Sequence, residues 1–181
     1  MIVLGIDPGI RNTGWGVVDF NNSFMKHVDD GVISSSNKDD DGERLFYIFD
    51  HLEKIINKYN PNLIGVEKTF IGDGNITSLK LGMARGVCIL VAAKAKIEIR
   101  EIAPKLIKKT LTGYGNANKH QIVQMVKKLL HVLPKNNDSA DALAIAITAK
   151  NYSVLNQKHN NLDNENNLNK AIKKALLKEN Y

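Results

Sequence analysis

The chain has 181 residues, a net charge of +6, 43% hydrophobic and 24% charged residues, and a single cysteine. This fits one soluble globular domain with a real core and excludes an intrachain disulfide or a cysteine-built metal site. No apolar stretch reads as long enough to span a bilayer, and the N-terminus enters a strand with no leader pattern, which predicts a cytoplasmic protein with no membrane partner.

Ile2-Val3-Leu4-Gly5-Ile6 is an almost continuous apolar run ending at Asp7, the pattern of a buried central strand. Pro8-Gly9 breaks it, and Gly14-Trp15-Gly16-Val17-Val18 begins a second strand after a short turn. A third strand is expected around 31–35. Asp39-Asp40-Asp41 offers N-caps for a helix carrying Leu45, Ile48, Phe49, Leu52, Ile55 and Ile56 on one face, ended by Asn60-Pro61. Leu63-Ile64-Gly65-Val66 is another buried strand, and it delivers Glu67. A Gly-containing loop over 68–74 precedes a long helix from about Ile76 to Ala95, and 97–102 forms the last strand. Pro104 suits the first turn of a short helix. After the loop at 112–116 comes a helix with Ile122, Val123, Val126, Leu129 and Leu130. Beyond Pro134 a final core helix through about Ala149 is expected, capped by Asp138.

This order predicts an α/β fold: a mixed five-stranded sheet flanked by helices. Residues 1–150 form the predicted domain. Residues 151–181 read as an Asn/Lys-rich tail, in which Leu168, Ala171, Ile172, Ala175 and Leu176 have the spacing of a short basic amphipathic helix. Cys88 lies in an apolar run and reads as a small buried hydrophobe.

Charge is unevenly spread. Residues 1–79 carry 7 basic against 12 acidic side chains, residues 80–135 carry 12 against 2, and residues 136–181 carry 6 against 5. A cationic surface beside an anionic pocket suits a protein that grips a polyanion, although solvated helix lysines would produce the same count.

Four carboxylates stand where a metal-dependent nuclease would place them: Asp7 and Glu67 at strand ends, and the Asp138/Asp141 pair early in the last helix. Hard divalent cations prefer oxygen ligands, and two of them can clamp the attacking and leaving oxygens of a phosphodiester. Spacing of i, i+3 puts Asp138 and Asp141 on one helix face. Taken singly each feature stays open, because Asp-x-Gly turns are common and Asp138 could serve only as a cap.

Taken together, Asp7-Pro8-Gly9 with Thr13-Gly14-Trp15-Gly16, Glu67-Lys68-Thr69-Phe70, the 79–87 segment Leu-Lys-Leu-Gly-Met-Ala-Arg-Gly-Val, and Asp138-Ser139-Ala140-Asp141-Ala142-Leu143-Ala144 resemble the RuvC family of Holliday junction resolvases over about residues 1–150. The resemblance implies an RNase H-like fold and a homodimer. It further implies paired nicking of four-way junction DNA with two Mg²⁺ per subunit, Mn²⁺ being able to substitute, and partnership with the RuvA–RuvB branch-migration machinery.

Asp7, Glu67, Asp138 and Asp141 match the family's metal-binding tetrad. Phe70 matches an aromatic that stacks on bases at the opened crossover, and Lys108 and Lys119 match lysines near the scissile phosphate. Lys80 and Arg85 fall in the matching helix as phosphate contacts. Lys68 and the tail match nothing in the family pattern. Gly82 and Gly86 form a G-x-x-x-G pair, read as intrachain packing or as a helix–helix dimer seam. His51, His120 and His131 lack metal-ligand spacing and read as surface groups.

The rivals are a sugar kinase or actin-like ATPase, which would need a second domain and a second phosphate loop, a junction-binding module without cleavage, and an RNase H-like nuclease acting on ribosomal RNA precursors.

Overall fold

Five strands make one sheet in the order β3-β2-β1-β4-β5. The computed structural model describes residues 1–21, 24–68 and 76–152. The chain divides into two units, Met1–Lys150 and Asn151–Tyr181, and the sheet lies wholly in the first. Its elements are β1 (Ile2–Asp7), β2 (Asn12–Asn21), β3 (Phe24–Ser34), α1 (Asp41–Tyr59), β4 (Leu63–Glu67), α2 (Ile76–Lys94), β5 (Glu98–Ile102), α3 (Pro104–Thr112) and α4 (Lys119–Leu130). A last helix, α5, occupies 137–152. β1, β2 and β3 are antiparallel neighbours, whereas β4 runs parallel to both β1 and β5.

The apolar strands lie where their patterns put them, with Val3, Leu4, Ile6, Leu63, Ile64 and Val66 fully buried. One face of the sheet, together with Ile48, Leu52, Ala84, Cys88 and Val91, builds a core under α1 and α2. Burial pushes the Cys88 thiol up to about 12, which leaves it inert. β2 and β3 are longer than expected. β3 is an edge strand in which Lys26, His27, Asp29 and Asp30 interrupt the apolar pattern, so only 31–34 carries an apolar signal.

The other face is covered by α5, and glycines let it come close. A Cβ on Gly5 would stand 1.9 Å from the Ala142 carbonyl oxygen, one on Gly14 2.2 Å from that of Asp138, and one on Gly65 2.7 Å from the Ala149 Cβ. With Ala142 and Ala146 over Gly5 and Ala149 over Gly65, α5 rides almost on the sheet backbone. This contact brings its first turn to the ends of β1 and β2.

Two expectations need correction. Asp138 does not cap α5. Asn136 does, accepting the Ser139 N–H at 2.8 Å while the Ser139 hydroxyl accepts the Asn136 N–H at 3.2 Å. The reciprocal cap leaves the Asp138 carboxylate free for other work. The second concerns membranes: α2 is long and apolar enough to cross a bilayer by length and composition. Its outer face carries Ile76, Leu79, Met83 and Leu90, all exposed. Added Cβ atoms at Gly82 and Gly86 would meet nothing within 4 Å, so the glycine pair makes no intrachain packing among the described residues.

Candidate active site

Asp7 ends β1 and Glu67 ends the parallel neighbour β4, with Ile6 and Val66 in register just before them. The two carboxylates therefore emerge side by side at the carboxyl edge of the sheet, where ligands bind in open α/β folds. The loop after Asp7 is closed by Thr13, whose fully buried hydroxyl donates to the Gly9 carbonyl at 2.7 Å. From above, α5 adds Asp138 and Asp141. One carboxylate oxygen from each of Asp7, Asp138 and Asp141 can be chosen so that all lie within 4.8 Å of one another. Glu67 stands outside that triplet but lies close enough to Asp7 for each carboxyl to act on the other.

Asp7, Glu67 and Asp141 line a cleft of about 250 Å³. Lys108 of α3 and Lys119 of α4 are the cations on its wall, and Pro104, Ile107, Ile122 and Ile145 are its apolar surface. Lys119 reaches Asp141 at 2.8 Å, and that contact raises the lysine's pKa.

Burial pushes the Asp7 carboxyl up to about 7, and the negative charges of Glu67, Asp141 and Asp138 push in the same direction. Glu67 is raised too, first by burial and then by Asp141. Carboxylates crowded at this spacing cannot all ionise cheaply without a cation among them. An all-oxygen donor set of this charge fits a hard divalent ion, and the acidic cluster is compatible with one.

The linkage has a sign. Asp7 has a folded pKa of about 7 against an ordinary 3.8. The folded state therefore holds a proton that the unfolded chain releases, and metal-free stability falls as pH rises from about 4 through about 7. Urea midpoints in EDTA should drop between pH 5 and pH 8, and added Mg²⁺ should restore more stability at pH 8 than at pH 5. Equal gains at both pH values would contradict the crowded-carboxylate account.

The remaining predicted residues are more scattered. Lys80 pairs with Asp41 at 3.0 Å, and Arg85 is in an ion pair with Glu101. Neither lines the cleft. Lys68 is exposed, with its main-chain N–H on the Ile102 carbonyl. Phe70 lies outside the described residues, as does the tail from 153. His51, His120 and His131 are exposed or half-buried. Sequence reasoning missed the isoleucine wall, the Thr13 hydroxyl and the Asn136 cap. Asn136 did carry a signal, since an Asn three residues before a Ser, just after a proline break, is a capping pattern.

The family model for the crossover junction endodeoxyribonuclease RuvC matches residues 3–149. The chain belongs to the RuvC family. Endonucleolytic hydrolysis of phosphodiester bonds at crossover junctions, in DNA recombination and repair, is thus its activity. RuvC of Rickettsia bellii is 46% identical over 157 residues, covering 84% of this chain and all of that one. RuvC of Rickettsia africae is 44% identical over the same shares. Among solved structures, Thermus thermophilus RuvC in complex with a Holliday junction substrate superposes with a TM-score of 0.79 at 30% identity, covering 86% of this chain and 96% of that one. The yeast mitochondrial Holliday junction resolvase, at 19% identity and a TM-score of 0.60, shares the fold. The RuvC family's RNase H-like sheet is the one observed here.

Proposed function

We propose that the chain resolves four-way DNA junctions as a homodimer, each subunit making one of two symmetric nicks with two Mg²⁺ ions held by Asp7, Glu67, Asp138 and Asp141. The observation that carries this is the convergence of Asp7, Asp138 and Asp141 within 4.8 Å, beside a cleft that Asp7, Glu67 and Asp141 line together with two lysines. Asp7 has Glu67 beside it on the sheet and the α5 pair above it, and these four residues would hold the ions between them, Asp7 being the one near all the others. Bound there, Mg²⁺ or Mn²⁺ would supply activation of the attacking water and stabilisation of the departing 3′ oxygen.

The chain's own groups do the rest. Lys119 holds Asp141 until a phosphate enters and then offers its ammonium to that phosphate, while Lys108 stands across the cleft to neutralise the same charge. Ile107, Ile122 and Ile145 limit water on the apolar side. Phe70, three residues beyond Glu67, stacks on a nucleobase at the crossover, a contact worth roughly 1–3 kcal/mol. Lys80 and Arg85 contact phosphate after exchanging their carboxylate partners.

Loss of Lys108 or Lys119 to Ala should cut the single-turnover rate more than junction affinity, and affinity should fall steeply with salt. Phe70→Ala should cut poorly on an intact junction and recover partly when the crossover bases are left unpaired. Wild-type rates in all three variants, or salt-insensitive binding, would remove the assigned roles.

The dimer would form through the outer face of α2, where Ile76, Leu79, Met83 and Leu90 line up with the open Gly82 and Gly86. A two-fold pair of sites matches a substrate with two-fold related strands. Mixing the chain with an excess of Asp141→Asn chain tests this directly. Mixed dimers should leave singly nicked junctions, whereas two cuts at an undiminished proportion would favour independent subunits. Family membership supports partnership with RuvA–RuvB. The fully buried free thiol of Cys88 fits a reducing cytoplasm. Residues 1–150 are the nuclease domain and 151–181 an appended tail.

A further inference from the structure

β3 carries two adjacent carboxylates, Asp29 and Asp30, that the chemistry of the cleft does not use. Asp30 is 1% exposed and sits opposite Gly16 in the sheet. Gly16 lies directly under Leu143, so Asp30 belongs to the face that α5 covers. A carboxylate buried there must have its oxygens satisfied. One lies 2.8 Å from His27 Nε2, and the other accepts the main-chain N–H of Lys135 at 2.9 Å. Asp29 takes the Lys135 side chain, with Nζ to Oδ1 at 2.8 Å, and also accepts the Tyr59 hydroxyl. Lys135 is thus gripped by its main chain and by its side chain around the edge strand.

The grip matters because of the residue on its C-terminal side. Asn136 is the cap of α5, and its carbonyl accepts the Ala140 N–H at 3.1 Å. Asp138 and Asp141 stand in the first turn that this cap begins. The glycine contacts set how closely α5 approaches the sheet, but a helix end frays unless something fixes where its first turn starts. Only Asp30 ties the residue before the cap to the sheet through the main chain, among the described residues.

We propose that Asp30, braced by His27, is a positioning residue for the active site: by holding the Lys135 N–H it sets the register in which α5 presents Asp138 and Asp141 to Asp7. This rests on the reading of the carboxylate cluster as a divalent-metal site. Asp30 touches neither substrate nor metal and acts through the helix.

The test uses the full chain and reads Mn²⁺ binding without DNA by electron paramagnetic resonance, amide exchange over 135–141, and junction affinity without divalent ions. Asp30→Ala should speed exchange of those amides and weaken Mn²⁺ binding by about tenfold, as loss of an outer support of metal ligands does. Junction affinity should be unchanged. Asp30→Asn, which keeps an oxygen for the Lys135 N–H, should recover most of the binding. Lys135→Met, which removes the side chain's contacts with Asp29 and the Trp15 ring but keeps the main-chain N–H, should bind Mn²⁺ like the wild type. If Asp30→Ala does not fold, His27→Ala leaves the carboxylate in place without its brace and should show the same changes in smaller measure. Faster exchange with wild-type Mn²⁺ affinity would mean that Asp30 anchors a loop and nothing more, and so overturn the proposal. Unchanged exchange would overturn it too. A wild-type chain that binds no Mn²⁺ would sink the metal-site reading itself, which is a separate failure.

Discussion

Asp7→Asn, Glu67→Gln and Asp141→Asn should each lower the nicking rate by on the order of 10³-fold or more, the scale set by loss of a preorganised electrostatic contact at a reacting centre. Junction affinity should survive, because it rests on cations meeting phosphates and not on these acids. Asp7 is the most informative of the three. Its carboxyl is pushed up to about 7 by burial and by three acidic neighbours, so amidation removes a charge that the metal-free fold resists. The Asp7→Asn chain in EDTA at pH 8 should therefore be at least as stable as the wild type, while losing the stabilisation that Mg²⁺ confers. A stable, metal-indifferent and inactive variant separates a ligand from a structural acid. Near-wild-type nicking by any of the three would count heavily against its role.

Gly5→Ala should damage both fold and activity. Its Cβ would lie 1.9 Å from the Ala142 carbonyl oxygen and 2.6 Å from the Ala146 nitrogen, both main-chain atoms that cannot turn aside. The helix must lift, at a cost of about 1–3 kcal/mol for overpacking. Asp141 precedes Ala142 in sequence and Asp7 lies two residues beyond Gly5, so lifting α5 separates the acids that must converge. Displacement of about 1 Å can cost on the order of 10²-fold in rate. A lower urea midpoint and poor cleavage, measured where the variant is still folded, are the expected pair of results. Gly86→Ala is the control: no atom lies within 4 Å of the new methyl, so the fold of the single subunit should not suffer.

How far such features are legible in sequence depends on where their partners lie. Ile2–Ile6 and Leu63–Val66 declare buried strands because both faces are covered, and the acids at their ends follow from that. The Asp138/Asp141 pair is legible from helical spacing alone. By contrast, β3 hides behind the charges of an edge strand. Lys80 and Arg85 look free in sequence, yet Asp41 and Glu101, on other elements, take them up. The Asp30–Lys135 contact spans 105 residues and has no local signature. Lys108 and Lys119 are distinguishable from other helix lysines only through the family resemblance, since no pattern in α3 or α4 marks which lysine faces a cleft. Asp138 reads as the cap in sequence because Asp and Asn serve equally well there, and three such residues, Asn136, Asn137 and Asp138, stand in a row.

The most direct test is incubation of the whole chain with a synthetic four-way junction and with a linear duplex of matched sequence, with and without Mg²⁺, each strand labelled in turn and resolved on a denaturing gel. Cuts should appear only in the junction, only with Mg²⁺, and in two strands of like polarity at symmetric positions. Binding without cutting at any Mg²⁺ concentration, or cutting of the linear duplex at the same rate, would contradict the account.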